Sequence, residues 1–201
     1  MYQPKYFKEY NSEIIRKVIE EFDFATLIIS VNDKLEISHI PMIINKESST
    51  LFGHIAVANP ITKIIDNGND ISATVIFQGD HGYISNNYYT NPKDNVPTWN
   101  YVAIHISGKI SLIKDKVEIS SILDSQFTKY ESNEINWKNS KISKLLGGIY
   151  GIKIEIKDID AKFKLSQNKD CNEQLLIINN LKNNNEIQLA DFMQKYLNLD
   201  N

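Results

Sequence analysis

Residues 77–101, FQGDHGYISNNYYTNPKDNVPTWNY, separate two apolar runs that are rich in β-branched residues. The run before them is ISATVIF (residues 71–77), and the run after them is YVAIHIS (residues 101–107). Runs of this length and composition are typical of buried strands. The stretch between them contains aromatic residues throughout, and aromatics are scarce in solvated linkers. The sequence therefore predicts a long, ordered loop that joins two core strands.

Two roles for this loop are compatible with its composition. Long loops in compact domains are commonly functional, and aromatic and amide side chains suit a ligand-facing surface. Alternatively, tyrosines such as Tyr88 and Tyr89 pack on the neighbouring strands or on a second copy of the chain and have no other role. Composition alone does not separate these two interpretations.

The rest of the chain predicts short strands with helices between and after them. Strand patterns occur at residues 25–31, 35–41, 50–57, 71–77, 101–113 and 151–157. Helical patterns occur at residues 12–22, where Ser12 is the predicted cap, and at residues 61–66, 115–130, 141–148, 172–182 and 186–198. Pro41 predicts an edge, a bulge or a strand end, and Gly108 predicts a bulge or a sharp bend. We expect an α+β protein, with a six-stranded antiparallel barrel and peripheral helices.

Charge and composition limit the kinds of partner that the protein can have. The 201 residues carry a net charge of −3, and Arg16 is the sole arginine. Proteins that read DNA sequence rely on arginine and on a basic face, so direct DNA binding is not expected. The helix predicted at residues 186–198 contains one basic residue, Lys195, and its apolar stripe suggests packing against a partner surface. Neither an export signal nor a membrane-spanning run is visible, so a cytoplasmic protein is expected.

No common catalytic motif is present, and no catalytic acid or base can be assigned. The single cysteine, Cys171, excludes an intrachain disulfide, and no metal site is expected. His39 and His54 lie on predicted strands beside small residues. With Lys63 and the helix start at Pro60 they could hold an anionic group such as a phosphate. The alternative is that each histidine bonds a neighbouring carbonyl.

Five motifs, in the same order, resemble the PaiB family, whose bacterial members are labelled FMN-binding negative transcriptional regulators. They are Ser38-His39-Ile40-Pro41, Gly53-His54-x-Ala56-x-Ala58-Asn59-Pro60, Phe77-Gln78-Gly79-x-His81-x-Tyr83-Ile84-Ser85, Val96-Pro97-Thr98-Trp99-Asn100-Tyr101 and Lys164-x-Ser166-Gln167-Asn168. The resemblance covers residues 1–168. Asp80, Gly82 and Asn86 depart from the family pattern.

The resemblance implies an FMN-binding split barrel that works as a homodimer, with flavin between the subunits. It implies a barrel domain at residues 1–168 and a C-terminal helical extension at residues 169–201. The cofactor-binding residues that it implies are Ser38, His39, His54, Asn59, Gln78, Trp99, Asn100, Ser166 and Gln167. A flavin-dependent redox activity and a role as a transcriptional regulator are further implications. The alternatives are a regulator that acts indirectly or through a protein partner, without redox activity, and a haem-binding or haem-degrading split barrel.

Overall fold

A computed structural model describes residues 1–31, 33–68, 70–133 and 135–199. Its six strands close into an antiparallel barrel in the order β1-β2-β3-β6-β5-β4, which confirms the predicted fold class. The strands are β1 (Phe24–Val31), β2 (Lys34–Ile44), β3 (Thr50–Ala56), β4 (Ser72–Ile84), β5 (Thr98–Ile113) and β6 (Ile149–Lys164). The helices are α1 (Ser12–Glu21), α2 (Pro60–Asn67), α3 (Lys116–Phe127), α4 (Ser140–Leu145), α5 (Cys171–Asn183) and α6 (Ile187–Tyr196).

The chain divides into two compact units. The first unit comprises Met1–Tyr10, Gln78–Ile104 and Asp160–Asn201. The second unit comprises Asn11–Phe77 and His105–Ile159. The two C-terminal helices therefore group with the N-terminal segment and with parts of β4, β5 and β6. Within the described residues, no helix is long and apolar enough to cross a membrane.

In the second unit, α1 is capped by Asn11, so the prediction of Ser12 as the cap is wrong by one residue. The Asn11 side-chain oxygen accepts hydrogen bonds from the backbone N–H groups of Glu13, at 2.9 Å, and Ile14, at 3.3 Å. These donors have no partner within the helix, which is why an Asn side chain stabilises this end. The inner face of α1 is formed by Ile15, Val18 and Ile19, all buried.

Pro41 lies inside β2, where the strand changes partner. The β1 pairing of β2 extends to Phe24 opposite Pro41, whereas the β3 pairing includes Met42 opposite Gly53. A residue without an N–H group is tolerated at such a transition because no ladder bond depends on it. The Pro41 carbonyl is used instead by Gln126 of α3, whose Nε2 donates to it at 2.8 Å.

Gly108 of β5 is required by the close approach of β6. A Cβ atom at this position would lie 2.3 Å from the Glu155 carbonyl oxygen and 2.8 Å from Ile154 Cγ2. Real Cβ atoms do not approach other atoms so closely. The glycine predicted to mark a bulge or bend thus marks a contact between two backbones.

In the first unit, the predicted loop at residues 77–101 is too long at both ends. Strand β4 continues to Ile84 and β5 begins at Thr98, which leaves the connection at residues 85–97. Gly79 and Gly82 occupy buried positions of β4, where strands usually carry apolar side chains. At Gly82 the space is filled by Leu189 of α6, whose Cδ2 would lie 2.7 Å from an added Cβ. Gly82 hides the end of the strand because the apolar side chain at this position comes from a distant helix.

The C-terminal helices pack within the first unit. The buried residues of α5 are Ile177, Ile178 and Leu181, and those of α6 are Leu189, Ala190 and Met193. The apolar stripe of α6, which suggested packing against a partner, is therefore covered by this chain. Tyr196 at the end of α6 donates its hydroxyl hydrogen to Glu9 Oε2 at 2.5 Å. Burial and the Glu9 carboxylate raise the pKa of Tyr196.

Candidate functional site

In the second unit, Ser38 and Asn59 meet at the start of α2. The Asn59 side-chain oxygen accepts from the Ile61 N–H at 3.0 Å and so caps the helix. The Asn59 Nδ2 donates to Ser38 Oγ at 2.9 Å. Because the Ser38 hydroxyl accepts this bond, it keeps its own hydrogen for another acceptor. The pair, at the positive end of a helix, is chemically suited to an anion.

His39 lies on the outer face of β2. Its Nδ1 is 3.1 Å from Thr26 Oγ1, and its ring is stacked on Phe24 with 6.3 Å between centroids. The side chain is exposed, so its Nε2 is open to a ligand or to solvent. The cofactor role of His39 stays a prediction.

His54 is paired with a helix. Its Nδ1 lies 2.8 Å from Gln126 Oε1, and the same amide donates to the Pro41 carbonyl. Gln126 is 4% exposed, so these bonds satisfy a buried amide. This arrangement favours the structural alternative for His54, and its cofactor role stays a prediction. Among the described residues, no group of three or more His, Cys, Asp or Glu could hold a metal ion.

In the first unit, Gln78, His81, Tyr83 and Trp99 form a surface that we call the aromatic face. The Trp99 ring lies 5.9 Å from Tyr83, edge to face, and 6.4 Å from His81. Gln78 Nε2 is 3.5 Å from His81 Nδ1. Trp99 is 53% exposed and Tyr83 is 48% exposed. A cluster of large aromatic side chains that is left open to solvent is a candidate binding surface.

Asn100 and Ser166 meet in the interior of the first unit. Asn100 is fully buried, and its Nδ2 donates to Ser166 Oγ at 2.9 Å and contacts Met193 Sδ at 3.5 Å. Ser166 has a φ of 65°, in the left-handed region that non-glycine residues seldom adopt. Strained residues of this kind occur at functional sites, where the surrounding structure holds them in place.

Gln167 closes the turn after β6. Its Nε2 donates to the Phe163 carbonyl at 2.5 Å, and its Oε1 accepts from the Leu165 N–H at 2.7 Å. Both ends of the amide are used by the backbone of its own segment. The predicted cofactor contact through Gln167 stays a prediction, and its structural role is the one that the hydrogen bonds support.

Sequence reasoning missed three side chains of these groups. Tyr83 and His81 lie within a recognised motif, but an exposed contact with Trp99 depends on strand pairing and not on spacing. Gln126 lies on α3, 72 residues from His54. No local pattern in the sequence marks a partner so distant along the chain.

Comparisons with known proteins give a family match and a curated relative. A family model described as "Putative FMN-binding domain" matches residues 1–158. The protein named "Protease synthase and sporulation protein PAI 2" from Bacillus subtilis (strain 168) is 36% identical over 207 residues, which cover 98% of each chain. The alignment with this relative therefore extends through α5 and α6, which lie beyond the matched family domain.

Solved structures show the same fold at low sequence identity. The FAD and haem binding protein from Mycobacterium smegmatis has a TM-score of 0.63 at 13% identity, covering 84% of this chain and 78% of that one. The flavocytochrome Anf3 from Azotobacter vinelandii has a TM-score of 0.59 at 11% identity, covering 87% of this chain and 78% of that one. At these identities the comparison describes the fold alone.

Proposed function

The chain belongs to the PaiB family of FMN-binding split-barrel proteins, and from that premise we propose that it binds FMN and uses it in a redox reaction. The family match over residues 1–158 carries the proposal. FMN, when bound, supplies one- and two-electron chemistry that no side chain of this protein provides. The residues of the chain have to bind the flavin, orient it and control the access of water.

The aromatic face has the chemistry that an isoalloxazine ring needs. The half-exposed indole of Trp99 offers a flat apolar surface for a planar ring. The amide of Gln78 and the imidazole of His81 offer donors and acceptors for the oxygen and nitrogen atoms of such a ring. Their separation of 3.5 Å brings both groups to the same part of the surface. We therefore assign Gln78 and Trp99 to flavin binding.

The Ser38–Asn59 pair of the second unit has the chemistry that a phosphate needs. It offers a free hydroxyl hydrogen and the capped start of α2, and Lys63 is an exposed cation on the same helix. The assignment of Ser38 and Asn59 to phosphate binding rests on this donor set, whereas His39 lies on the opposite face of β2 and its cofactor role stays a prediction. The assignment is tested separately, by comparing the affinity of the Asn59→Ala variant for FMN with its affinity for riboflavin.

Replacing Trp99 with alanine is expected to weaken FMN binding by about 1 kcal/mol, or roughly fivefold, because an aromatic contact of this size is lost. The exposed side chain contributes little to stability, so the unfolding midpoint should stay close to that of the native protein. The measurement is a titration with FMN, followed by the flavin absorption band.

Tyr6→Ala is the matched control for Trp99→Ala, because Tyr6 is 73% exposed and lies outside the aromatic face. It should bind FMN as the native chain does. The assignment of the aromatic face is rejected if Trp99→Ala binds FMN with native affinity. FMN binding itself is rejected if saturating FMN gives neither a bound spectrum nor a rise in melting temperature.

The outer face of β1 and β2 supports the proposed homodimer. Phe24, Leu35 and Ile37 are 68%, 64% and 53% exposed, respectively, although they are large and apolar. The pairing of the two strands places Ile28 opposite Ile37 and Thr26 opposite His39 on this face. A contiguous apolar surface on a paired sheet is typical of an interface, and a twofold axis lets the same surface serve both copies.

The double variant Leu35→Asp/Ile37→Asp is expected to shift the protein from dimer to monomer, because two charges would be buried without partners in the interface. Sedimentation velocity measures the change. Val117→Asp introduces a charge at a site that is 76% exposed on α3, so it should leave the assembly unchanged. A double variant that sediments like the native protein would exclude this face as the interface.

A regulatory role is the second candidate, and the word "sporulation" in the name of the Bacillus subtilis relative favours it. In the described part of the chain, the exposed positions of α6 include one acid, Asp191, and one basic residue, Lys195, so this helix offers no basic face to DNA. We therefore propose that any regulation is indirect or passes through a protein partner. A DNA complex whose affinity falls steeply with salt would contradict this.

A further inference from the structure

The first unit contains a cavity of about 410 Å³ that we call the Lys164 cavity. Its walls combine two aromatic side chains with amides, hydroxyls and two lysines. The lining residues are Phe7, Tyr89, Asp94, Asn95, Val96, Thr98, Asn100, Lys164, Ser166, Asn168 and Lys169. The volume is in the range of small-molecule sites, which span roughly 300–1,000 Å³.

Both lysines of the cavity are fixed in place by uncharged groups. Lys164 Nζ donates to Thr98 Oγ1 at 2.7 Å and to the Trp99 carbonyl at 2.6 Å. Lys169 Nζ donates to Asn95 Oδ1 at 2.7 Å and lies 4.9 Å from the centre of the Tyr89 ring. An ammonium group has three hydrogens, so Lys164 keeps one for a ligand and Lys169 keeps more than one.

The positive charge of Lys164 is not neutralised by its own contacts. The ammonium group is half-buried and lies 5.8 Å from the centre of the Phe7 ring. Lys162, two residues earlier on β6, is 8% exposed and has its ammonium over the rings of Tyr2 and Tyr101. Burial and the neighbouring charge of Lys162 lower the pKa of Lys164.

An anion would stabilise a cation in this setting. A partly desolvated ammonium with neutral partners has lost hydration that carbonyl and hydroxyl oxygens replace only in part. Asp94, the carboxylate among the lining residues, is exposed at the rim. One negative charge against two lysines leaves the cavity positive, although the whole chain carries a net charge of −3.

We propose that the Lys164 cavity binds a small organic anion, with a carboxylate or phosphate group held by Lys164 and an apolar body against Phe7 and Tyr89. Lys169 supplies a second cation, and the buried Asn100–Ser166 pair shapes the floor. The site lies within the first unit and is distinct from the flavin phosphate. The proposal does not depend on FMN binding, because every group that carries it is present in the chain itself.

The test uses the full-length protein with inorganic phosphate and benzoate as probes. Amide NMR is recorded at increasing, millimolar probe concentrations. Saturable shifts of the Asn100 side-chain amide and the Ser166 backbone amide are expected. Lys164→Met should weaken binding at least about tenfold, the loss typical of removing one partner of a buried charge pair. The Lys164→Arg variant should retain a substantial part of the native affinity for the probes.

The control variant is Lys93→Met, because Lys93 is exposed on the neighbouring turn and does not line the cavity. It should bind both probes with native affinity. If Lys164→Met does not fold, Lys169→Met replaces it, with a smaller expected loss. Shifts that never saturate, or equal losses in Lys93→Met and the cavity variants, would overturn the proposal.

A competition experiment separates this proposal from FMN binding. If phosphate displaces FMN but not riboflavin, and Lys164→Met abolishes this competition, the cavity holds the flavin phosphate, which would overturn a separate anion site. Saturable probe binding in a protein that binds no FMN would support the anion site while the flavin proposal fails. Phosphate without benzoate binding would reject the apolar half of the site, and benzoate alone would identify a carboxylate ligand.

Discussion

Gly108→Ala is expected to lower the free energy of unfolding by about 3 kcal/mol, because the added methyl group has no space. It would lie 2.3 Å from the Glu155 carbonyl oxygen, which belongs to the backbone of β6 and not to a flexible side chain. On its other side, Glu155 is paired with Thr50 of β3. Strand β6 therefore cannot move away without disturbing a second strand pair.

Urea unfolding followed by tryptophan fluorescence measures this loss. The matched control is Gly147→Ala, because no atom lies within 4 Å of the corresponding Cβ. It should change the free energy of unfolding by less than about 0.5 kcal/mol, as surface substitutions usually do. If both variants unfold at the same urea concentration, the close approach of β5 and β6 is not what requires the glycine.

Phe163→Ala is expected to cost about 4 kcal/mol, the usual loss when a fully buried phenylalanine is truncated. The Phe163 ring is fully buried, 6.2 Å from the Phe192 ring and 5.2 Å from the Tyr196 ring. Both partners belong to α6, so the cavity would open where the last helix joins the sheet. The loss should therefore be accompanied by faster amide exchange in α6.

Thermal unfolding measures the stability of the Phe163 variant. Each kcal/mol of lost unfolding free energy lowers the melting temperature by roughly 2–4 °C in a chain of this size. Val117→Ala shortens an apolar side chain that is 76% exposed, so its melting temperature should be native. Native stability in Phe163→Ala would mean that α6 is not held by this aromatic cluster.

The sequence predicted the strands and helices in which apolar residues alternate or recur at helical spacing without interruption. GIKIEIK at residues 151–157 alternates apolar and charged residues and lies in the first half of β6. The sequence pattern did not predict a strand where the apolar side chain that covers the strand comes from another element. Gly79 and Gly82 contribute no apolar signal, so the sequence at the end of β4 resembles a loop, and in the structure Leu189 fills the space at Gly82.

The candidate site was predictable only as separate motifs. The resemblance selected Ser38 and Asn59, and the structure joins them by a hydrogen bond across 21 residues of sequence. It also selected His54, but the partner of His54 is Gln126, which no motif contains. Lys164 was part of a motif without a role of its own. Its chemistry depends on burial and on Lys162, Thr98 and Phe7, which come together only in the folded chain.

The pairing of β3 with β6 also has a consequence for how the chain is made. Thr50 pairs with Glu155, so one edge of β3 has no partner until about a hundred further residues have left the ribosome. At about 5–20 residues per second, that interval lasts roughly 5–20 seconds. During this time the open edge can pair with another nascent chain. Synthesis with a chaperone that covers strand edges should therefore raise the soluble yield.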